Sequence, residues 1–253
     1  MAKDIYGLIG FPLKHSFSAR FFAEKFEREN IDAEYRNFEI EEILQLREVI
    51  EQNRSLKGLN VTIPYKERVL PLLDGLSPEA QRIGAVNVIR VERASSSGAQ
   101  SYRLTGYNTD YVGFKQSLEP LLEKSVHRKA LLLGTGGASK AVAHALADLG
   151  LRVQSVSRTA GKDLLTYSDL NDRVLEEYKV IVNASPVGTF PQVNNCPDIP
   201  YQYITPHHLL YDLVYNPTET LFLKKGKDRG ATVKNGAEML ERQALEAWKI
   251  WTA

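Results

Sequence analysis

A chain of 253 residues, 43% hydrophobic and 25% charged, has material for one large or two modest globular domains, and a net charge of +1 provides no electrostatic footprint for nucleic acid or an anionic membrane. Cys196 is the sole cysteine, which excludes an internal disulfide and a thiolate zinc site, and the five histidines show no metal-ligand spacing. No apolar run reaches membrane-span length and the opening MAKDIYGLIGF has no signal-peptide core, so the expectation is a soluble, cytoplasmic protein that partners neither nucleic acid nor membrane.

Taken in order, Ile5 to Ile9 is a short apolar strand running into a Gly-x-Pro loop that ends in Ser16 and Ser18, just before the helical stripe Phe21, Phe22, Phe26. One serine can cap that helix; the other hydroxyl is left over. Ala33 to Ile40 alternates as a strand, and Ile43, Leu46, Val49 and Ile50 space as a helix. Leu56 to Glu67 reads as a strand carrying Asn60 and Thr62, with Pro64 opening a helix and Lys66 one turn in. Polar Asn and Thr in an otherwise apolar strand need partners if buried. Gly84 to Val91 is a strand with Asn87 in its middle, Ala94 to Gln100 a Ser/Gly-rich hairpin tip, and Tyr102 to Tyr107 the return strand. Asn108, Thr109 and Asp110 then precede a helix through Phe114, Leu118, Leu121 and Leu122.

From Lys129 the chain reads KALLLGTGGASKA: apolar strand, a turn with Gly134, Gly136 and Gly137, then helix formers beginning at Ala138 and Ser139. Three glycines let the backbone approach a ligand, and the helix start offers N–H groups to an anion such as a dinucleotide pyrophosphate; the same turn also occurs as a plain connector. The next strand, Arg152 to Ser157, ends in Ser157, Arg158 and Thr159. An NAD site places an acidic residue about twenty residues after the first glycine, yet none stands between Gly150 and Gly161. A guanidinium there pairs with a 2′-phosphate, which favours NADP(H) over NAD. Further strands are Lys179 to Ala184, Leu209 to Val214 and Ala231 to Lys234. A last amphipathic helix, Ala237 to Trp251, packs back on the first half. This alternation predicts an α/β fold with parallel sheets covered by helices on both faces.

The series Ser16-x-Ser18, Asn60-Val61-Thr62-Ile63-Pro64-Tyr65-Lys66, Gly84-Ala85-Val86-Asn87, Asn108-Thr109-Asp110, Gly134-x-Gly136-Gly137-Ala138, Asn183-Ala184-Ser185-Pro186-Val187-Gly188, Asp212-x-Val214-Tyr215-Asn216-Pro217 and Gly236-x-x-Met239-Leu240-x-x-Gln243 resembles the shikimate dehydrogenase family over nearly the whole chain. The resemblance implies an α/β substrate domain, 1–109 plus 236–253, and a Rossmann-like NADP domain, 110–235, with a cleft between them. It also implies reversible NADPH-dependent reduction of 3-dehydroshikimate to shikimate, by a monomer or homodimer. By motif, Ser16 and Ser18 hold the substrate carboxylate, while Asn60, Thr62, Asn87 and Gln243 bond the ring hydroxyls or the carboxylate. Tyr215 lies near substrate and nicotinamide. Gly134, Gly136, Gly137, Ala138, Ser157, Arg158, Thr159, Ser185 and Gly236 serve the cofactor.

From spacing alone Lys66 reads as an exposed lysine beside Glu67, and Asp110 as a helix N-cap. In the motif context they become the catalytic pair, with Lys66 donating a proton to the reduced oxygen and Asp110 holding a hydroxyl beside it. The chain departs from the family at Ser157, where Asn is common, at Ser185, where Thr is frequent, and at Tyr111, where Gly is frequent. The Tyr111 ring either narrows the cleft or packs beneath it. Two other readings share the fold: a quinate/shikimate dehydrogenase using NAD, and a metabolite sensor without turnover.

Overall fold

The computed structural model describes residues 3–13, 17–93 and 102–253. Ser16 and the hairpin tip 94–100 lie outside the described residues. The chain forms two compact units, Met1–Thr109 with Ala244–Ala253, and Asp110–Gln243.

The first unit runs β1 (Asp4–Gly10), α1 (Phe17–Arg28), β2 (Ala33–Glu39), α2 (Leu46–Gln52), β3 (Leu56–Val61), β4 (Gly75–Leu76), α3 (Pro78–Ile83), β5 (Val88–Arg93) and β6 (Tyr102–Tyr107). Its sheet has the order β2-β1-β3-β5-β6-β4. β1, β2 and β3 are parallel, whereas β5 pairs antiparallel with both β3 and β6. The expectation of parallel strands therefore holds for the βαβαβ half of this sheet and gives way at the hairpin, whose short connection forces antiparallel pairing. Strand alternation sends Ile5, Ile9, Leu59 and Val61 to one face against Ile43, Leu46 and Ile50. Tyr6 goes to the other, against Phe22, Phe26 and Trp251. A Cβ at Gly58 would lie 2.2 Å from the Trp251 ring, so the last helix, α8 (Ala237–Thr252), can seat its indole on the strand. The Trp251 Nε1–H donates to the Ile89 carbonyl at 3.0 Å.

The second unit contains α4 (Thr109–Leu118) from Asp110 onward, β7 (Lys129–Leu133), α5 (Gly137–Asp148), β8 (Arg152–Ser157), β9 (Leu165–Thr166), α6 (Asp172–Glu177), β10 (Val180–Asn183), β11 (Leu209–Asp212), α7 (Leu221–Lys227) and β12 (Thr232–Lys234), and the first part of α8. All six strands are parallel in the order β12-β11-β10-β7-β8-β9. Ala130, Leu132, Val180 and Tyr211 face Phe114, Val142, Leu146 and Met239; Leu131, Ile181 and Leu210 face Leu175, Phe222 and Leu223. Near-continuous apolar strands are what burial on both faces demands.

Two local expectations change. No helix starts at Pro64: Thr62 to Val69 is a chain of turns pinned by Tyr65, whose fully buried hydroxyl donates to the Ile40 carbonyl at 2.6 Å. Gly84 to Asn87 is not strand either. Gly84 is the left-handed cap of α3 (φ 70°), and β5 begins only at Val88, so Asn87 precedes the strand.

Candidate functional site

In the second unit the strand order reverses between β7 and β10, and the crevice beyond the carboxyl ends of those strands is where open parallel sheets take ligands. Both the Gly134 turn and Ser185 fall there. Gly134 has φ 109°, and a Cβ on it would sit 3.2 Å from the Ser185 amide nitrogen, so only glycine lets the end of β7 lie this close to the end of β10. Gly136 is the N-cap of α5, and a Cβ there would meet nothing within 4 Å. The turn is thus open in front of the N-terminal amides of Gly137 and Ala138, the donor set a pyrophosphate requires. Ser139 is buried, and its hydroxyl and amide both donate back to the Gly136 carbonyl, which fixes the turn without a third glycine.

Ser157 ends β8, next to β7, and its hydroxyl accepts from the Thr159 amide at 3.3 Å. Arg158 between them is exposed, and its charge opposes the upward shift that burial imposes on the Tyr167 hydroxyl. Ser185 is set from below: its hydroxyl donates to Asn183 Oδ1 at 2.6 Å, and Asn183 Nδ2 donates to Asp212 Oδ1 at 2.9 Å. Asp212 Oδ1 also accepts the Val214 amide, and Oδ2 accepts the Thr220 hydroxyl. One buried carboxylate therefore shapes both the Ser185 loop and the loop carrying the half-exposed Tyr215. Gly236 closes this region, because a Cβ on it would stand 2.2 Å from the Leu213 carbonyl oxygen while its amide donates to the Val214 carbonyl.

On α4, a Cβ at Gly113 would meet the Met239 carbonyl at 2.6 Å and the Gln243 Cβ at 3.1 Å, so α4 and α8 touch backbone to backbone. Asp110 lies one turn before Gly113 on that face. It and Gln243 are both buried. Tyr111 projects elsewhere: its hydroxyl donates to Asp148 at the far end of α5, at 2.7 Å. Asp148 is eleven residues from Gly137, about 16 Å along a helix. The ring packs against the second unit's own core.

The first unit gathers polar groups at the end of β3. Asn60 is buried there; its Oδ1 accepts the Tyr35 hydroxyl at 2.7 Å, and that hydroxyl also bonds Ser18. A Cβ at Gly10 would lie 2.4 Å from Thr62 Cγ2, so β1 ends in glycine to admit the Thr62 turn. The Lys66 carbonyl accepts the Val86 amide at 2.7 Å, and the Asn87 carbonyl accepts the Val61 amide at 2.8 Å, tying the turn and the segment before β5 to β3. Asn87 Oδ1 accepts the Thr109 amide at 2.7 Å and its Nδ2 donates to Thr109 Oγ1 at 3.0 Å, so this side chain caps α4 immediately before Asp110. Asn60, Thr62, Lys66 and Asn87 come together in this unit, and Ser18 joins them through Tyr35. Tyr35 was not among the sequence candidates, since an aromatic in an alternating strand reads as core.

A parallel sheet with its order reversed at a glycine turn defines a dinucleotide-binding α/β protein. Residues 8–89 match the family model for the shikimate dehydrogenase substrate binding domain. Over 98% of its length the chain is 39% identical to the shikimate dehydrogenase (NADP(+)) of Clostridium beijerinckii, covering 92% of that protein, and 36% identical to that of Desulforamulus reducens, covering 90%. The crystal structure of shikimate 5-dehydrogenase from Thermus thermophilus in complex with NADP(H) and shikimate superposes with a TM-score of 0.82 at 32% identity, covering 98% of this chain and 93% of that one. The chain belongs to the shikimate dehydrogenase family.

Proposed function

We propose that the chain catalyses the reversible, NADPH-dependent reduction of 3-dehydroshikimate to shikimate, a step toward aromatic amino acids. The observation that carries this reading is the near full-length likeness to a relative whose structure holds NADP(H) and shikimate, joined to a glycine turn, an exposed Arg158 and no acidic residue at the end of β8. Residues 1–109 with 236–253 hold the substrate, and 110–235 hold the cofactor, whose contribution when bound is a hydride for the carbonyl carbon. Gly134, Gly136, Gly137 and Ala138 take the pyrophosphate, Ser157, Arg158 and Thr159 the 2′-phosphate end, and Ser185 and Gly236 the region nearer the nicotinamide.

Ser16 and Ser18 donate to the substrate carboxylate. Asn60, Thr62, Asn87 and Gln243 bond the ring hydroxyls or the carboxylate, a matched set that rejects analogues lacking one hydroxyl. Lys66 gives a proton to the oxygen as it becomes an alkoxide, and Asp110 accepts a hydrogen bond from the neighbouring hydroxyl and so orients the ring. Tyr215 is a further contact near the substrate and the nicotinamide. The protein works in the cytoplasm as a monomer or homodimer.

Absorbance at 340 nm with shikimate or quinate and NADP or NAD tests the assignment. Rapid reduction of NADP with shikimate is the expected result; faster turnover with quinate and NAD would move the protein to the quinate-oxidising branch, and binding without turnover would make it a sensor. Arg158→Ala should raise KM for NADPH about 10- to 100-fold, the worth of one charge-assisted phosphate contact, while leaving KM for NADH within about 2-fold. Equal changes for both cofactors would remove the guanidinium from the phosphate site.

A further inference from the structure

Among the described residues, the Tyr35 hydroxyl is a polar group that joins two proposed substrate contacts and that no motif assigns. Tyr35 lies on β2 and Asn60 on β3, with β1 between them. The registers Tyr6 with Tyr35 and Leu8 with Asn60 put both side chains on the α1 face of the sheet. The Tyr35 ring stacks on Phe22 of α1, with centroids 5.0 Å apart and planes 11° from parallel. Phe22 is itself fully buried, so the ring is held and the hydroxyl has one place to go. It donates to Asn60 Oδ1 at 2.7 Å.

A phenol has one proton. With that proton committed to Asn60, the bond between Tyr35 and Ser18 is donated by the Ser18 hydroxyl, whose single proton must turn from Tyr35 to the carboxylate when substrate binds. The consequence for Asn60 is directional. Its oxygen is occupied by Tyr35, which leaves the amide NH₂ as the group able to turn to a ligand, so Asn60 meets a substrate oxygen as a donor. Burial raises the Tyr35 hydroxyl well above the ordinary tyrosine range, and the Ser18 bond offsets part of that rise. The phenol therefore stays protonated and keeps its role as donor to Asn60 throughout the working pH range.

We infer that Tyr35 is a positioning residue for substrate recognition, which orients the Asn60 amide. The inference rests on the reading that Asn60 contacts the substrate. Preorganising a polar contact lowers the cost of ordering it on binding, so the effect falls on substrate affinity rather than on hydride transfer.

Tyr35→Phe deletes one oxygen and keeps the ring and its stack on Phe22. The expected result is a rise in KM for shikimate of about 3- to 10-fold, the range of a single neutral hydrogen bond, with kcat and KM for NADP within about 2-fold and a thermal midpoint lowered by no more than a few degrees. Asn60→Ala should raise the same KM. In the Asn60→Ala background the added effect of Tyr35→Phe should vanish, because the group it positions is gone. A wild-type KM in Tyr35→Phe beside a raised KM in Asn60→Ala would overturn the positioning role and leave the substrate assignment standing. Equal effects of Tyr35→Phe in both backgrounds, or parallel losses in kcat, NADP affinity and thermal midpoint, would also overturn it. An unchanged KM in Asn60→Ala would instead overturn the substrate assignment, and the inference with it.

Discussion

Lys66→Ala is expected to lower kcat by about 10²- to 10⁴-fold, the usual contribution of a positioned general acid, with KM for shikimate held within about 3-fold. Hydride addition to a ketone leaves negative charge on oxygen, and a group needed only as that charge develops shows its loss in kcat. The local structure supports such a role by fixing the lysine backbone from both sides. Tyr65 before it is fully buried and tethered to Ile40, and the Lys66 carbonyl itself accepts the Val86 amide. The Lys66 side chain is half-buried, so its truncation opens no cavity in the core and the thermal midpoint should fall by no more than a few degrees. Steady-state kinetics in the shikimate-oxidising direction check this. Turnover within a few-fold of wild type would take Lys66 out of the proton-transfer step, whereas an equal rise in KM would make it a binding residue alone.

The parts of this protein that were legible in the sequence are those where local chemistry has one outcome. Gly134 at φ 109° and the closely approached Gly236 stand where no other residue fits. The apolar runs LLL, VIVN and LLYD are long enough to declare strands covered on both sides. Short elements were not legible. The helix α3 carries its own signals, Ser77 as N-cap, Pro78 at the first position and Gly84 as cap, but six residues are too few for apolar periodicity to register. Pro64 departs from the expected helix start for a physical reason: a proline following a strand suits a turn as well as a helix start, and the buried Tyr65 decides for the turn. Within the site, motifs named residue types without their partners. Asn87 reads as a substrate ligand, and the fold shows that it also caps α4; Tyr35 reads as core, and its hydroxyl turns out to hold Asn60. Such contacts join segments 22 to 25 residues apart in the chain. No local pattern encodes them.

Substitutions at Asp212 and His208 should uncover two opposing pH dependences that mask each other in the native protein. Asp212 is fully buried, and burial raises its pKa from 3.8 to about 6 against the three hydrogen bonds from Thr220, Val214 and Asn183. Below pH 3.8 both folded and unfolded forms are neutral; between 3.8 and 6 the unfolded chain ionises first, so stability falls by roughly 3 kcal/mol as pH rises. His208, 1% exposed, behaves in the opposite sense. Burial, with the charge of Lys179, lowers its pKa from 6.5 to about 4. Its contribution is complete above 6.5, and roughly 3 kcal/mol is lost as pH falls toward 4 because the unfolded chain takes up the proton first. Over about pH 4 to 6 the two slopes cancel. In D212N the amide oxygen can still accept from Asn183 and Val214, and in H208Q the amide can accept from the Thr205 N–H and donate to the Leu175 carbonyl, as the imidazole does. Relative to wild type, D212N should therefore gain about 3 kcal/mol between pH 4 and 6.5, H208Q should lose a similar amount, and the double variant should again run parallel to wild type. Asp212→Ala is a different case: it strands the Asn183, Val214 and Thr220 donors in a buried site, should cost about 3 to 5 kcal/mol at neutral pH, and should loosen the Ser185 loop that Asn183 holds. Denaturant titrations at half-unit pH intervals measure all four variants, and because both groups lie in the second unit, the unfolding of that unit reports both. A D212N curve parallel to wild type across this range would mean that the native carboxylate is already ionised, with its three hydrogen bonds outweighing burial.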